Sequence, residues 1–310
     1  MRIPRDTSGV IEVPGPWQHR FVAANGARFH VAQGLPDGDA DAPFVLLLHG
    51  FPEFWWTWRD QLPALAAAGY RVAAMDLRGY GGSDKTPRGY DPATLAQDVA
   101  GVVKALGERR AVLVGHGWGG YVAWAASVLH AGVVRALCAE AAPHPLVMLR
   151  ALRGGRGGRA LGHVLSMQLP MVPERRLADP DGGFVARHLA AWSGPGSRFP
   201  EEEVAAAYQE ALTLWPASHC ALEYHRWLVR SRLRSDGRRF NAAMRQPVTR
   251  PVCLVHGSDD PAVPAGPDTR SAAYVSGPVE EHVLSGVGHF PHEERPEEFT
   301  ALLLEWLRGL

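Results

Sequence analysis

The chain predicts an α/β fold: a mostly parallel central sheet, helices on both faces, and a helical cap inserted between two pieces of the sheet domain. Three observations carry this. Short, continuously apolar runs alternate with helical stretches over residues 1–142, the pattern of strands buried on both faces and joined by crossover helices. The alternation then lapses, and residues 143–247 hold helical stretches but no strand-like run. Strand-like runs return over residues 248–310, so the core is one domain in two sequence pieces with 143–247 as its cap.

Taken in order, Asn25-Gly26 between Phe21-Val22 and Phe29-His30-Val31 is a two-residue hairpin turn, because both turn positions need positive φ. Phe44–Leu48 is a strand buried on both faces, ending in His49-Gly50. Trp58–Ala68 is helical in composition, stopped by Gly69. Arg71–Met75, Ala111–Val114 and Val134–Ala139 continue as strands, with helices at Leu95–Leu106 and Tyr121–Leu129 between them. Within the cap, Glu201–Leu214 and Ala221–Leu233 are helical, and strands resume at Val252–Val255 and Glu281–Leu284. A helix over Pro296–Leu307 closes the chain, with proline and acids in its first turn.

Composition excludes several function classes. At 46% hydrophobic and 21% charged residues, the chain is neither disordered nor fibrous. Its 32 basic and 32 acidic side chains cancel, leaving no net field to draw nucleic acid or an anionic membrane. Cys138, Cys220 and Cys253 show no C-x-x-C spacing, which excludes a disulfide scaffold and a cysteine zinc finger. Met1–Asp6 lacks the apolar core of a signal peptide, and no window holds 18 consecutive apolar residues; the expectation is a cytoplasmic protein. The patch Arg153–Arg159 alternates arginine with glycine pairs but has no interleaved aromatics, so it reads as a solvated loop rather than an RNA-binding box.

The chemistry-bearing residues sit where strands end. Gly115-His-Gly117-Trp118-Gly-Gly120 follows a buried strand and opens a helix, the context of a nucleophile elbow, where a sharp turn exposes the central side chain. His49-Gly-Phe51-Pro52-Glu53, Asp76–Asp84, Gly257-Ser-Asp259-Asp260-Pro261 and Gly286-Val-Gly-His289-Phe-Pro-His292 follow other strands. Loops at the carboxyl ends of parallel strands are where open sheets build their sites. Together these motifs resemble the α/β-hydrolase superfamily over nearly the whole chain, in its epoxide-hydrolase branch, which is related to dehalogenases.

That resemblance implies roles. Asp260 is the acid that orients His289, with Asp259 the runner-up, and His289 is the base that activates water. The N–H groups of Phe51 and Trp118 form the oxyanion hole. Pro52 follows a cis bond, and Phe51, Pro52, Trp118 and Tyr224 line the substrate pocket. His49 and His292 are structural, and Asp76 and Asp84 brace their loop. Trp118 could also contact a halide, as in a dehalogenase. Glu140, after its strand, reads as a half-buried carboxylate at the site rim, paired with an arginine or serving as a spare acid or replacement nucleophile.

Departures from the family pattern fall at the centre. The family places aspartate where this chain has Gly117, which has no side chain to attack with; natural divergence and a deliberate inactivating substitution both fit. Two cap tyrosines of the family correspond to His163 and His225. These either donate hydrogen bonds to substrate or bond to one another within the cap. The reading is an epoxide-hydrolase-like enzyme adding water to a small, largely apolar substrate under Trp192, Trp215 and Trp227, with no metal and no cofactor. The alternative is a catalytically silent ligand-binding protein on the same fold.

Overall fold

The computed structural model describes residues 8–35, 42–153, 158–262 and 271–310. Residues 154–157 of the arginine–glycine patch, and residues 263–270 that follow the Asp260 motif, lie outside that set. Eight strands form one sheet in the order β1-β2-β4-β3-β5-β6-β7-β8: β1 Trp17–Ala24, β2 Ala27–Gly34, β3 Phe44–Leu48, β4 Arg71–Met75, β5 Ala111–His116, β6 Val134–Glu140, β7 Val252–Gly257 and β8 Val279–Leu284. β1 and β2 pair antiparallel through the turn at Asn25 (φ 45°) and Gly26 (φ 72°), and β2 joins β4 antiparallel; all the remaining pairs are parallel. Every residue of β3, β5 and β7 is buried, which is why those runs carry no polar alternation. β8 is an edge, and its exposed Glu280 and Glu281 discourage further strand addition.

The helices are α1 Ser8–Ile11, α2 Gln61–Ala67, α3 Pro92–Ala105, α4 Trp118–Leu129, α5 Pro145–Arg153, α6 Gly158–Ser166, α7 Val172–Ala178, α8 Phe184–Trp192, α9 Glu202–Thr213, α10 Ala217–Arg230, α11 Ser235–Ala243, α12 Pro291–Glu294 and α13 Pro296–Arg308. α3 packs with α4, and α2 with α13. Between β6 and β7 the described residues form helices and turns, with α7, α8, α9 and α10 packed on one another.

Differences from the sequence expectation are local and have causes. α3 starts three residues before Leu95 because the Asp91 side chain accepts from Thr94 N–H, and Pro92 occupies the first turn. The Trp58 helix becomes a 3-10 turn at Trp55–Trp58 followed by α2. Cys138 and Cys253, far apart in the chain, are register partners on β6 and β7. Trp215 does not line an interior: it is 83% exposed. Trp227 packs edge-on against Phe240.

Candidate active site

The strand ends after β3, β5, β7 and β8 bring their loops together over Gly117. β5 ends at His116 and α4 begins at Trp118, so the chain reverses at Gly117 with φ 50° and ψ −113°, a conformation open to glycine and strained for other residues. A Cβ placed on Gly117 would lie 3.6 Å from His289 Nε2 and 3.7 Å from Gly50 Cα. His289 Nδ1 is 2.9 Å from Asp260 Oδ2, and the other Asp260 oxygen accepts from Ala262 N–H at 2.7 Å. Asp259 is exposed and takes the Ser258 hydroxyl, so the acid beside His289 is Asp260. The Phe51–Pro52 bond is cis. The N–H groups of Phe51 and Trp118 have no protein acceptor among the described residues.

A buried ion pair lies beneath these loops. His116 Nδ1 is 2.9 Å from Glu53 Oε2, and its Nε2 donates to the His289 carbonyl at 2.8 Å. Burial works against both charges, but each partner outweighs it: the imidazole is pushed up to about 9 and the Glu53 carboxyl held down at about 2. Glu53 Oε2 also accepts from Gly50 N–H. One pair therefore ties the Gly50–Phe51 loop to the His289 loop. Glu53, His116 and His292 bring potential ligand atoms within 4.8 Å of one another, and they are the one such group of three among the described residues. With both His116 nitrogens protonated and donating, that ring has no lone pair for a metal.

The neighbouring polar residues are structural braces or differ from their expected places. His49 Nδ1 bonds the Gly50 carbonyl and its Nε2 accepts from Leu77 N–H. Asp76 accepts from Trp55 N–H and Gly82 N–H and pairs with His30. Asp84 accepts from Arg28 N–H on β2. Glu140 is not at a rim beside arginine. It is fully buried and accepts from both the backbone and the ring of His292.

Over Gly117, residues of α6, α8 and α10 form an imidazole cluster. His225 Nδ1 is 3.2 Å from the Ala221 carbonyl, which can only accept, so Nε2 carries the lone pair. That lone pair receives Trp118 Nε1–H at 3.1 Å and faces His163 Nε2 at 3.1 Å. Burial drops His225 to about 4; burial and the neighbouring imidazoles lower His163 well below its usual range. Both rings are thus neutral near pH 7, and His225, with both nitrogens engaged, presents no free N–H to a ligand. The Trp118 indole N–H, a halide contact in the sequence expectation, donates to His225 here. Tyr224, expected in the pocket, gives its hydroxyl to the Arg78 carbonyl and packs its ring on Trp118.

His188, which the sequence analysis did not single out, belongs to the same cluster. Its ring stacks on His163 at 4.8 Å and contacts Phe51 and Trp192. Trp192 in turn lies against His289, and its carbonyl accepts from His289 N–H. Only the spacing of His188 and Trp192, four apart on one helix face, hinted at this in the sequence.

A mostly parallel sheet, a strand–glycine–helix turn and an Asp–His pair facing it define an α/β hydrolase. Residues 45–302 match the Alpha/beta hydrolase family, and the chain belongs to that family. It is 34% identical over 94% of its length to epoxide hydrolase A of Mycobacterium tuberculosis, covering 97% of that protein. It is 32% identical over 94% of its length to epoxide hydrolase 3 of Xenopus tropicalis, covering 78% of it. Among solved structures, epoxide hydrolase A from Mycobacterium thermoresistibile superposes with a TM-score of 0.80 at 27% identity, over 95% of this chain and 99% of that one. An epoxide hydrolase from an endophytic Streptomyces superposes at 0.78 with 31% identity, over 96% of each.

Proposed function

We propose that this epoxide-hydrolase-like protein adds water to a small, largely apolar substrate without forming a covalent intermediate. His289 acts as general base, Asp260 holds its imidazole with the proton on Nδ1, and Gly117 marks the nucleophile position without supplying a nucleophile. The Phe51 and Trp118 N–H groups serve as the oxyanion hole. The carrying observation is the 3.6 Å between His289 Nε2 and the Cβ position of Gly117: the base's free lone pair faces the space that a nucleophilic side chain would fill. A water there sits within reach of a base and beside two unpartnered donors. Residues 143–247 form the cap over that space, with 1–142 and 248–310 as the core. We place the protein in the cytoplasm: its three cysteines are free, and no helix among the described residues is long and apolar enough to cross a membrane.

The test is turnover of styrene oxide and phenyl acetate by the protein and by His289→Ala. Loss of about 10²–10⁴-fold, the usual effect of removing a general base, supports the reading; equal rates in the two proteins would sink it. Equal rates would favour a catalytically silent ligand-binding protein, a second reading supported by the way His163, His225 and Trp118 hydrogen-bond one another.

A further inference from the structure

We propose that His188 is the cap residue that hydrogen-bonds substrate: it takes the neutral oxygen of a flat, apolar molecule seated against Phe51, His163 and Trp192. This rests on the reading of the space over Gly117 as the substrate site.

The argument starts from the donors. A ligand oxygen over Gly117 needs a partner, and of the two imidazoles in the expected places His225 has spent both nitrogens, on Ala221 and on the Trp118 indole, while His163 turns its Nε2 to His225. His188 has spent nothing. It is 8% exposed, yet neither ring nitrogen has a hydrogen-bond partner among the described residues. Nor are these nitrogens fully sealed from solvent, as His144 Nε2 and His256 Nδ1 are. An imidazole this buried with both nitrogens unused is costly unless something visits it.

Its position relative to the base is fixed. His188 and Trp192 sit one turn apart on α8, and Trp192 contacts His289 through both its carbonyl and its ring. The Gly194 N–H after α8 donates to Glu294 Oε2, whose carboxylate also accepts from Gly288 N–H. The helix carrying His188 is therefore strapped to the loop carrying His289. Phe51, His163 and Trp192 surround His188 with ring faces and edges, a slot suited to a flat ligand. Burial drops His188 to about 3, with His289 and His225 adding to the effect. Near neutral pH it is a neutral ring with one N–H and one lone pair, matched to an ether, epoxide, carbonyl or hydroxyl oxygen rather than to a carboxylate.

The probes are 1-phenyl-1,2-ethanediol and ethylbenzene, which share the ring and differ in oxygen, titrated at equilibrium against the full chain. The expected result is tighter binding of the diol, by an oxygen preference that falls about two- to tenfold in His188→Phe. His188→Gln, which restores a donor, should recover part of it. His289→Ala should lose turnover but keep the preference, so the water-activation reading and this one fail separately. Thermal unfolding of each variant identifies those that fold. A full oxygen preference in a folded His188→Phe, or none in the unmodified protein, overturns the proposal.

Discussion

At Gly117 the backbone angles of 50° and −113° pull against the chemistry of the family. A side chain there is strained, yet the space for one is open, since the nearest atoms to an added Cβ stand at ordinary contact distance. Gly117→Asp should therefore fold. Its unfolding free energy should fall by about 1–3 kcal/mol, the usual cost of a non-glycine residue in a sparsely populated backbone region, as read by urea denaturation. The new carboxylate would sit beside His289 Nε2 and could attack an epoxide carbon, opening the C–O bond and leaving an ester on the protein. Intact mass after incubation with styrene oxide should then show a one-to-one adduct in Gly117→Asp/His289→Ala, where no base activates water to hydrolyse the ester, and none in the unmodified protein. An adduct on the unmodified protein mapped to Glu140 would contradict the structural role its buried pairing with His292 gives it.

The element that matters most is the β5–α4 junction, whose other glycines serve close packing rather than backbone angle. A Cβ on Gly119 would fall 2.1 Å from the Leu48 carbonyl oxygen, and one on Gly120 2.3 Å from the Ala142 Cβ. α4 thus lies directly against the ends of β3 and β6, which brings the Trp118 N–H beside the Phe51 loop. Gly119→Ala must push backbone against backbone, and such overpacking at a buried junction costs about 1–3 kcal/mol or more. Chemical denaturation should show a loss in Gly119→Ala larger than in Gly132→Ala, where an added Cβ meets nothing within 4 Å. Equal losses would mean that the contact with Leu48 does not set the junction.

For the whole molecule, the imidazole cluster makes stability depend on acid. His163, His188 and His225 are lowered in the folded state, so between the ordinary histidine value and their folded values the unfolded chain binds more protons. Stability then rises with pH across that window. The His116–Glu53 pair has the opposite signs in its two members. The raised His116 contributes fully below about 6.5 and loses its contribution as pH climbs through 9; the lowered Glu53 contributes fully above about 4.5 and loses its contribution as pH falls through 2. Between pH 4.5 and 6.5 that pair is constant on both counts, and the cap imidazoles add to a slope of the same sign from the other buried histidines that burial lowers, His49, His144 and His256. Moving from pH 6.5 to pH 5 should cost roughly 2 kcal/mol for each ring that stays neutral. Urea unfolding of a His163→Phe/His225→Phe protein should show a shallower dependence over the same interval, and an unchanged slope would remove the cap imidazoles as its source.

Hydrophobic patterning and turn chemistry determined the sheet, the hairpin, the helical stretch after β6 and the family, because each is written within a few neighbouring residues: a buried run, an Asn-Gly pair, a glycine cluster after a strand. The loops that carry Asp260, His289 and Gly117 were legible as strand-end loops, which a parallel sheet delivers to one edge, but the choice of Asp260 and His289 within them came from the resemblance to the family. What the cap histidines do was decided only by tertiary structure. His225 donates its Nδ1–H to the Ala221 carbonyl within its own helix and gives its lone pair to Trp118 from another element, while His188 reaches the site because α8 is strapped to the His289 loop. Hydrogen-bond partners in an inserted helical layer are set by how helices pack across the sheet, and neither composition nor spacing along the chain records which nitrogen is spent and which is left free.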